Sequence, residues 1–392
     1  MKIVYLHQYF NTPLMNGSTH SYDIASMLVR KGHEVTMITS NKTGDRSSFE
    51  NINGIKVYWL ACSYNSKMVF LNKVISFIEF MFKSTILLLK IKCDLVFSTS
   101  TPLTIGIPSI IKKKIHQTPF IFEVRDLWPA VPIEMGIISN KFFIKILTYL
   151  EKTIYDYASK IFVISHGIAE LINAPKQKVK VFPFGCNMEK YHKIKKSSFK
   201  NDNNFEDKIV VGLIGSIGFA NDPIVIVETA RLLKKMKNNT IQFVFIGEGS
   251  AKSEIVRLIR NEYLDNIALF NSVNKNEALS IIKSIDAGLI LHGSSKTYRY
   301  TASPNKFFDY LASGLNIIYN FDGPLKDLLI KEKVGYFFNY DDYENLAKYL
   351  NQLTKSKLKR MARHNYKLAR NTFNMDEILE KMYNEIIVYY PS

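Results

Sequence analysis

Cysteine is scarce in this chain of 392 residues, and its three positions lie far apart. Cys62, Cys93 and Cys186 include no C-x-x-C pair. Disulfide frameworks and zinc sites need cysteines in closely spaced groups, so this spacing argues against both. A reducing cytoplasm is therefore the expected compartment.

Long uncharged apolar runs are also missing. No such run approaches the roughly 20 residues that a transmembrane helix needs. Residues 1–10 are too short an apolar run for a signal peptide, and no small-residue cleavage site follows them. They are predicted to contain a first buried strand instead.

Acidic residues are outnumbered, since 35 Asp and Glu stand against 52 Lys and Arg and leave a formal net charge of +17. A basic surface can bind nucleic acid, anionic lipid or phosphorylated substrates. The chain has no helix-turn-helix, ribonucleoprotein or zinc-finger signature, which argues against nucleic acid as the partner. An anionic lipid surface is the preferred interpretation.

The fingerprint G-x-G-x-x-G, followed about 20 residues later by an acid that binds ribose, is absent from both halves of the chain. A dinucleotide-dependent oxidoreductase is therefore not expected. Glycine turns do follow apolar runs, at Gly215 and at Gly247, and the loop after the first strand carries Gly17. Glycine at such positions lets the backbone approach a ligand closely.

Short β-rich runs alternate with segments of helical spacing along most of the chain, which is typical of an α/β fold. In the first half these runs fall at 2–6, 34–39, 94–99, 119–124, 160–164 and 179–182. In the second half they fall at 208–214, 242–246, 268–273 and 287–291. The polar stretch 193–208 is the best candidate for a linker. The sequence thus predicts two doubly wound, Rossmann-like domains, residues 1–200 and 201–374, facing each other across a cleft.

A short helix is predicted directly after Ser303, which is a good N-cap, with Pro304 in its first turn. The free backbone amides at its N-terminus, with Lys306 one turn in, can hold a phosphate without a metal. Asp309 follows three residues later and can accept hydrogen bonds from sugar hydroxyls. The alternative is a capped core helix whose Lys306 and Asp309 are merely solvated.

Charged side chains follow the predicted strand 119–124 at its carboxyl end. They are Glu123, Arg125 and Asp126. Open α/β sheets bind ligands at this end of their strands, so the three residues are candidates for a site. A structural ion pair at a strand end is the alternative.

The stretch 68–92 is apolar on most sides and carries five charged residues, Lys73, Glu79, Lys83, Lys90 and Lys92. Two interpretations remain open. The helix can be buried in its domain, or it can place an apolar side in a membrane interface with lysines reaching for head groups. The lysines at 112–114 would add attraction to anionic lipid of about 1 kcal/mol each.

The order of short motifs along the chain resembles that of the family 4 glycosyltransferases of GT-B fold that assemble bacterial surface polysaccharides. The motifs are the early glycine loop, Gly32-His33-Glu34-Val35, Glu123-Val124-Arg125-Asp126-Leu127-Trp128-Pro129, Val163-Ile164-Ser165, Pro183-Phe184-Gly185, Gly247-Glu248-Gly249 and Ser303-Pro304-Asn305-Lys306. The Arg-Asp-Leu-Trp-Pro and Ser-Pro-Asn-Lys stretches are the most specific. They resemble the subgroup that contains fucosamine (L-FucNAc) transferases of O-antigen synthesis.

The resemblance implies a donor site for a nucleotide sugar in the second domain and an acceptor site in the first. The implied donor-binding residues are Gly17, Gly215, Ser216, Lys252, Val273, Arg299, Ser303, Pro304, Asn305, Lys306 and Asp309. Glu123, Arg125 and Asp126 are the implied catalytic candidates. The chain departs from the family pattern at Asp309, where relatives have Glu, and at Thr301, where they have a first acid.

The implied activity is the retaining transfer of an N-acetylated amino or deoxyamino sugar from a UDP-linked donor to a saccharide on polyprenyl diphosphate. No D-x-D motif supplies metal ligands, so no metal and no cofactor are expected. The enzyme would bind peripherally to the inner face of the cytoplasmic membrane during O-antigen or capsule synthesis. Residues 375–392 would form a helix that crosses back to the first domain. A nucleotide-sugar epimerase of the same fold and a non-catalytic membrane-associated assembly partner are the alternatives.

Overall fold

The computed structural model describes residues 1–41, 45–63, 68 and 70–389. Contacts between Cα atoms divide the chain into two compact units. Unit 1 comprises Met1–Thr12, Ser18–Pro183 and Glu377–Ser392. Unit 2 comprises Pro13–Gly17 and Phe184–Asp376. Both units have the parallel α/β architecture that the alternation of apolar runs predicts.

The strands of unit 1 are β1 (Lys2–Leu6), β2 (Glu34–Asn41), β3 (Ser48–Ile52), β4 (Ile55–Ala61), β5 (Leu95–Thr99), β6 (Phe120–Val124), β7 (Lys160–Val163) and β8 (Val179–Val181). Within the described residues they form one sheet in the order β3-β4-β2-β1-β5-β6-β7-β8. Neighbours are parallel, except for the antiparallel hairpin of β3 and β4. The chain moves from β1 outward on one side and then returns to β5 on the other, so the topological switch point lies between these two strands.

The helices of unit 1 are α1 (His20–Arg30), α2 (Phe70–Lys90), α3 (Gly106–His116), α4 (Ala130–Glu134), α5 (Lys141–Tyr157) and α6 (His166–Leu171). The helix predicted over 68–92 is α2, and residue 69 lies outside the described residues. Helix α3 packs against both α2 and α5. Among the described residues no helix is long and apolar enough to cross a bilayer.

The strands of unit 2 are β9 (Ile209–Ile214), β10 (Ile241–Ile246), β11 (Ile267–Phe270), β12 (Ala287–Ile290), β13 (Asn316–Tyr319) and β14 (Tyr336–Phe337). All are parallel, in the order β11-β10-β9-β12-β13-β14. Strands β9, β10, β12 and β13 are buried along their whole length, because helices cover both faces of such a sheet. The switch point of this sheet lies between β9 and β12.

The helices of unit 2 are α7 (Met188–Lys193), α8 (Phe199–Asp202), α9 (Ile224–Lys235), α10 (Lys252–Asn261), α11 (Lys275–Ile282), α12 (Lys296–Tyr300), α13 (Asn305–Ala312), α14 (Gly323–Lys331), α15 (Tyr343–Asn351) and α16 (Lys355–Asn371). The last helix, α17 (Met375–Ile386), begins in unit 2 and continues in unit 1. Within unit 1 its Glu380 pairs with Lys31 at 2.7 Å. The ring of its Tyr383 lies 5.6 Å from that of His33.

The stretch 193–208, expected from its composition to be a linker, is folded against unit 2. Phe199 is buried, and its ring lies 5.0 Å from that of Phe270 on β11. Lys200 pairs with Asp286 at 2.7 Å. Unit 2 accordingly starts at Phe184, ahead of the boundary expected near residue 200. A few aromatic anchors hold this polar segment, and its average composition does not reveal them.

Candidate functional site

Unit 1 gathers polar side chains where β1, β5 and β6 end. These three strands are parallel neighbours, and the switch point lies beside them. We call this group the β6 cluster. Its members are His7, His20, Thr99, Glu123, Arg125 and Asp126.

Glu123 is the buried centre of the β6 cluster, with 1% of its surface exposed. One carboxylate oxygen lies 2.8 Å from Nε2 of His20, the first residue of α1, and the other accepts a hydrogen bond from Thr99 at 2.9 Å. Burial alone would raise the pKa of Glu123, but His20, Arg125 and the Thr99 hydrogen bond together hold it below its usual value. Glu123 is therefore a carboxylate with both oxygens engaged, which is an arrangement that fixes neighbours in place.

Arg125 ties the end of β6 to the loop before α1. Its Nη2 donates to Ser18 Oγ at 3.3 Å, and its Nη1 lies 3.5 Å from Nε2 of His7. Its backbone N–H donates to Ser100 Oγ at 3.1 Å. Burial, followed by the charge of Arg125 and then that of His20, holds the pKa of His7 well below its usual value. The imidazole of His7 is thus neutral at ordinary pH.

Asp126 differs from Glu123 in that its carboxylate accepts no hydrogen bond from any residue that the structure describes. The side chain is half-buried. Burial raises its pKa, and the neighbouring Arg125 offsets this only in part. Of the two carboxylates in the β6 cluster, Asp126 is the one left open to an outside group.

Unit 2 builds its own polar site at the switch point between β9 and β12. Gly215, directly after β9, has φ of +127°. A Cβ atom at Gly247, after β10, would lie 1.8 Å from the carbonyl oxygen of Gly215, so only glycine fits there. The two glycine turns that the sequence indicates therefore pack directly against each other, and they leave Ser216 exposed.

Helix α13 begins beside these turns, one residue later than predicted. Its N-cap is Pro304 and not Ser303, and no side chain caps its first amides. Ser303 is instead a buried residue of the preceding loop, because Pro304 at the cap holds the extended backbone that enters the helix. The uncapped amides at Asn305 and Lys306 are available to an anion.

Lys306 places its Nζ next to the glycine turn, since a Cβ at Gly215 would lie 3.7 Å from that atom. Within the described residues no carboxylate or other acceptor pairs with it. Burial lowers the pKa of Lys306 to about 8. A half-buried cation without a partner, at the uncapped start of a helix, is an arrangement suited to a phosphate. We call Gly215, Ser216, Asn305 and Lys306 the α13 cluster.

Two known protein families match the chain, one in each half. The model of the family described as "Glycosyl transferases group 1" matches residues 194–370, and that of the "Glycosyl transferase 4-like domain" matches residues 17–185. The protein is a glycosyltransferase. Among curated proteins none matches the chain.

Solved structures with the same two-domain GT-B fold resemble the glycosyltransferase over nearly its whole length. Sucrose-phosphate synthase from Thermosynechococcus elongatus superposes with a TM-score of 0.78 at 13% identity, over 99% of both chains. Anabaena Alr3699/HepE in complex with UDP-glucose gives 0.74 at 12% identity, over 99% of this chain and 100% of that one. WaaG, a glycosyltransferase involved in lipopolysaccharide biosynthesis, gives 0.72 at 13% identity, over 98% and 99%.

Two residues that sequence resemblance assigns to the donor are already bonded in the glycosyltransferase. Lys252 Nζ donates to Glu248 at 2.6 Å, to the Gly247 carbonyl at 3.1 Å and to the Asn271 side chain at 3.2 Å. Arg299 donates to Asp322 at 3.0 Å. Both side chains brace loops around the α13 cluster, and their contact with a donor stays a prediction.

Asp309 lies on α13 at the position that resemblance assigns to ribose hydroxyls. Its carboxylate pairs with Lys275 Nζ at 2.5 Å, and both side chains are about four-fifths buried. Lys275 opens α11, and the half-buried Val273, predicted to contact the base, lies two residues before it. Lys275 is therefore a neighbour of the predicted ribose site that the sequence argument did not find.

The glycine loop of the first half groups with unit 2. Gly17 has φ of +124°. Within unit 2, Asn16 Nδ2 donates to Ser272 Oγ at 3.2 Å. The backbone conformation fits the glycine there, while the predicted contact between Gly17 and a donor stays a prediction.

His20 and His292 are site residues that sequence reasoning missed. His292 follows β12, is 3% exposed, and its Nδ1 has no hydrogen-bond partner in the described residues. Burial, then the charges of Lys306 and Arg299, lower the pKa of His292 to about 3, so it stays neutral. For His292, the available signal was a histidine two residues after a buried strand. In the described part of the chain, no group of three or more His, Cys, Asp and Glu side chains could hold a metal ion.

Proposed function

We propose that the enzyme moves an N-acetylated amino or deoxyamino sugar, with retention and without a metal, from a UDP-linked donor to a saccharide on polyprenyl diphosphate. The reaction would occur at the inner face of the cytoplasmic membrane, in O-antigen or capsule synthesis. The Arg-Asp-Leu-Trp-Pro stretch at 125–129 and the Ser-Pro-Asn-Lys stretch at 303–306 support a fucosamine-type transferase.

One observation carries the proposal, namely the uncapped start of α13 with Lys306 beside the Gly215 turn. Breaking a glycosyl phosphate bond develops negative charge on the leaving diphosphate. Fixed amides and a lysine without a partner stabilise this charge more in the transition state than in the ground state. The α13 cluster offers both kinds of donor. The UDP-glucose complex of Anabaena HepE, with a TM-score of 0.74, supports a uridine nucleotide as the carrier.

The β6 cluster would serve the acceptor. We assign Asp126 to the acceptor hydroxyl, because its carboxylate is open and its raised pKa lies closer to the pH at which a base must work. We assign Glu123, the other acid of the cluster, a positioning role. Its engaged carboxylate would hold His20 and Thr99 in place.

Helix α2 supports the membrane part of the proposal. Five large apolar side chains recur at intervals of three or four residues and are exposed, namely Leu71, Ile75, Ile78, Phe82 and Ile86. The opposite side, which includes Phe80 and Leu88, is buried in unit 1. The two interpretations of this helix are therefore compatible, since one side packs on the domain and the other is exposed to solvent.

Helix α5 carries a second exposed apolar stripe. It packs on α3, as α2 does, and exposes Phe142, Ile146 and Tyr149 at helical spacing. Exposed lysines accompany this stripe at positions 141, 145 and 152. Aromatic and aliphatic side chains flanked by lysines are typical of helices that lie in a lipid interface.

Replacing Ile75, Ile78 and Phe82 with Ser should release the enzyme from membranes. Losing three exposed apolar contacts with the bilayer is expected to weaken binding to vesicles by at least about 100-fold, since each such side chain contributes about 1.5–3 kcal/mol when fully buried. Sedimentation with vesicles measures this. Phe77 and Met81 on the same helix are half-buried, so replacing them would disturb packing as well.

The matched control for this variant replaces Met236, Tyr263 and Ile330, three exposed apolar residues of unit 2, with Ser. It should bind vesicles like the wild type. Transfer to a soluble acceptor should survive in both variants. Unchanged vesicle binding by the α2 variant would contradict the membrane role of this face.

Donor affinity should fall with rising pH. Lys306 has a pKa of about 8 in the free protein, and a bound diphosphate raises that pKa because it favours the charged form. The complex therefore holds more protons than the free enzyme above this pH. Affinity should drop roughly tenfold between about pH 7 and about pH 9 if only the protonated form binds. Calorimetry measures the donor affinity at each pH. In Lys306→Gln the affinity should no longer change with pH in this range. A wild-type affinity that stays constant from about pH 7 to about pH 9 would refute the prediction.

The experiment that tests the proposed reaction is a screen of UDP-, GDP- and dTDP-sugars with a polyprenyl-diphosphate-linked saccharide, in the presence of a chelator. Product mass identifies the sugar, and the anomeric configuration of the product reports retention. A product from a UDP-linked amino sugar is expected. Nucleotide-sugar binding without transfer to any acceptor would instead support a non-catalytic assembly partner.

A further inference from the structure

Helix α16 in unit 2 carries an unusual concentration of positive charge. Its 17 residues include seven Lys and Arg and no Asp or Glu. All seven are exposed, at positions 355, 357, 359, 360, 363, 367 and 370. The buried side of the helix consists of Leu358, Asn365, Leu368 and Ala369. The charge therefore occupies the whole solvent side of a well-anchored helix.

Five of these cations form a single face. At about 100° per residue, Lys359, Arg360, Arg363, Lys367 and Arg370 fall within an arc of about 100° around the helix axis. They extend over about 16 Å of its length. We call these five residues the α16 face. A face of this width and length can contact several anionic groups in a row, and it is larger than the binding site of a single phosphate.

The α16 face has no internal neutralisation. None of its five cations has a hydrogen-bond or ion-pair partner within the described residues. Exposed lysines elsewhere are often paired, as Lys83 is with Glu79 and Lys193 with Glu189. The other two lysines of the helix and its histidine do have local partners. Lys355 donates to the Glu206 carbonyl, Lys357 lies over the Tyr349 ring, and His364 lies within hydrogen-bond distance of the Glu332 carbonyl.

A depression of about 720 Å³ runs along the edge of this face. Arg363, Lys367 and Arg370 line one side of it, and the C-terminal end of α13, at Ser313 and Gly314, lines the other. Three unpaired cations around one open depression can hold the charged head groups of several small molecules side by side.

We propose that the α16 face binds the anionic head groups of a lipid bilayer, as an electrostatic contact of unit 2. The helix has no exposed large apolar side chain, so this contact would lie on the head groups without insertion. A single-stranded nucleic acid needs exposed aromatic platforms for its bases, and the only aromatic residue of this helix, Tyr366, has its hydroxyl bonded to His192 at 2.7 Å. The inference rests on the proposed membrane location of the enzyme, and it adds a surface that differs from α2 in residues and in chemistry.

The test replaces Arg363, Lys367 and Arg370 with Gln in the full chain. Binding is measured to vesicles of phosphatidylcholine alone and to vesicles of phosphatidylcholine and phosphatidylglycerol in equal amounts. The control replaces Arg257 and Arg260 on α10 and Lys235 on α9 with Gln, which removes the same charges from exposed positions on other helices. Each lysine or arginine near an anionic surface is worth about 1 kcal/mol, so the α16 variant should bind the mixed vesicles on the order of 100-fold more weakly.

The control variant should lose much less, and added salt should weaken vesicle binding by the wild type by a larger factor than binding by the α16 variant. Equal losses in the two variants would reduce the effect to net charge and overturn the proposal. Vesicle binding by the α16 variant as tight as that of the wild type would also overturn it. So would tight binding of a soluble polyphosphate or RNA by the wild type that is lost in the α16 variant and kept in the control. Transfer to a soluble acceptor, measured in parallel, reports separately on the proposed reaction.

Discussion

Asp126→Asn is expected to lower kcat for glycosyl transfer by about 100-fold or more while leaving donor affinity unchanged. The carboxylate of Asp126 is the open acid of the β6 cluster, and a positioned general base contributes typically about 10²–10⁴ to a rate. The amide of Asn keeps the size of the side chain and cannot take the acceptor proton. Steady-state kinetics over a pH series measures the effect, because the acidic limb of the wild-type profile should disappear in the variant.

Glu123→Gln tests the positioning role of Glu123 separately from the base role of Asp126. Glu123 holds His20 and Thr99 with its two oxygens, so an amide there replaces one acceptor by a donor. We expect a loss of about 1.5–3 kcal/mol in the free energy of unfolding, together with a higher KM for the acceptor. The acidic limb of the pH profile should stay. Wild-type kcat in Asp126→Asn would contradict the role of Asp126 as the base. Loss of the acidic limb of the pH profile in Glu123→Gln would instead favour Glu123 as the base.

Lys306→Ala is expected to weaken binding of the nucleotide-sugar donor by roughly 10- to 150-fold. This range corresponds to about 1.5–3 kcal/mol for a hydrogen bond to a charged group. The Nζ atom lies beside the Gly215 turn and no described residue neutralises it, so its charge is free to act on the diphosphate. Calorimetric titration with a UDP-sugar measures the affinity.

The matched control for Lys306→Ala is Lys331→Ala, which removes an exposed lysine at the end of α14 in the same unit. It should bind the donor like the wild type. Lys306→Arg keeps the charge in a larger group and should recover part of the affinity. Wild-type affinity in the alanine variant would refute the assignment of the donor diphosphate to the α13 cluster.

The regular part of the fold could be predicted because its signals are local. Buried parallel strands appear as short apolar runs, and β9, β10 and β12 fall close to the predicted positions. The glycine turns and the start of α13 are likewise determined by a few neighbouring residues in the sequence. The N-cap was misplaced by one residue, because Ser303 and Pro304 both suit a helix start and only the backbone angles distinguish them.

Other elements depend on partners that are distant in the sequence. Strand β3 is largely exposed and gains its structure from pairing with β4, so it has no apolar alternation to recognise. The polar stretch around Phe199 folds because one aromatic ring meets Phe270. Composition indicates how much apolar surface a segment carries, and it does not indicate whether a few side chains find a partner.

The candidate site was predictable in its residue types and not in its pairings. Glu123 and His20 are separated by 103 positions, and no spacing rule connects them. The ion pair of Asp309 with Lys275 is another such case. These pairings decide which groups are already engaged, and for that reason we propose a positioning role for Glu123.

The most direct test of the central claim is a crystal structure of the enzyme with UDP. The account predicts that the terminal phosphate lies within hydrogen-bond distance of the backbone amides of Asn305 and Lys306 and of Lys306 Nζ, beside the Gly215 turn. A diphosphate bound elsewhere in the chain, with Lys306 still without a partner, would contradict it.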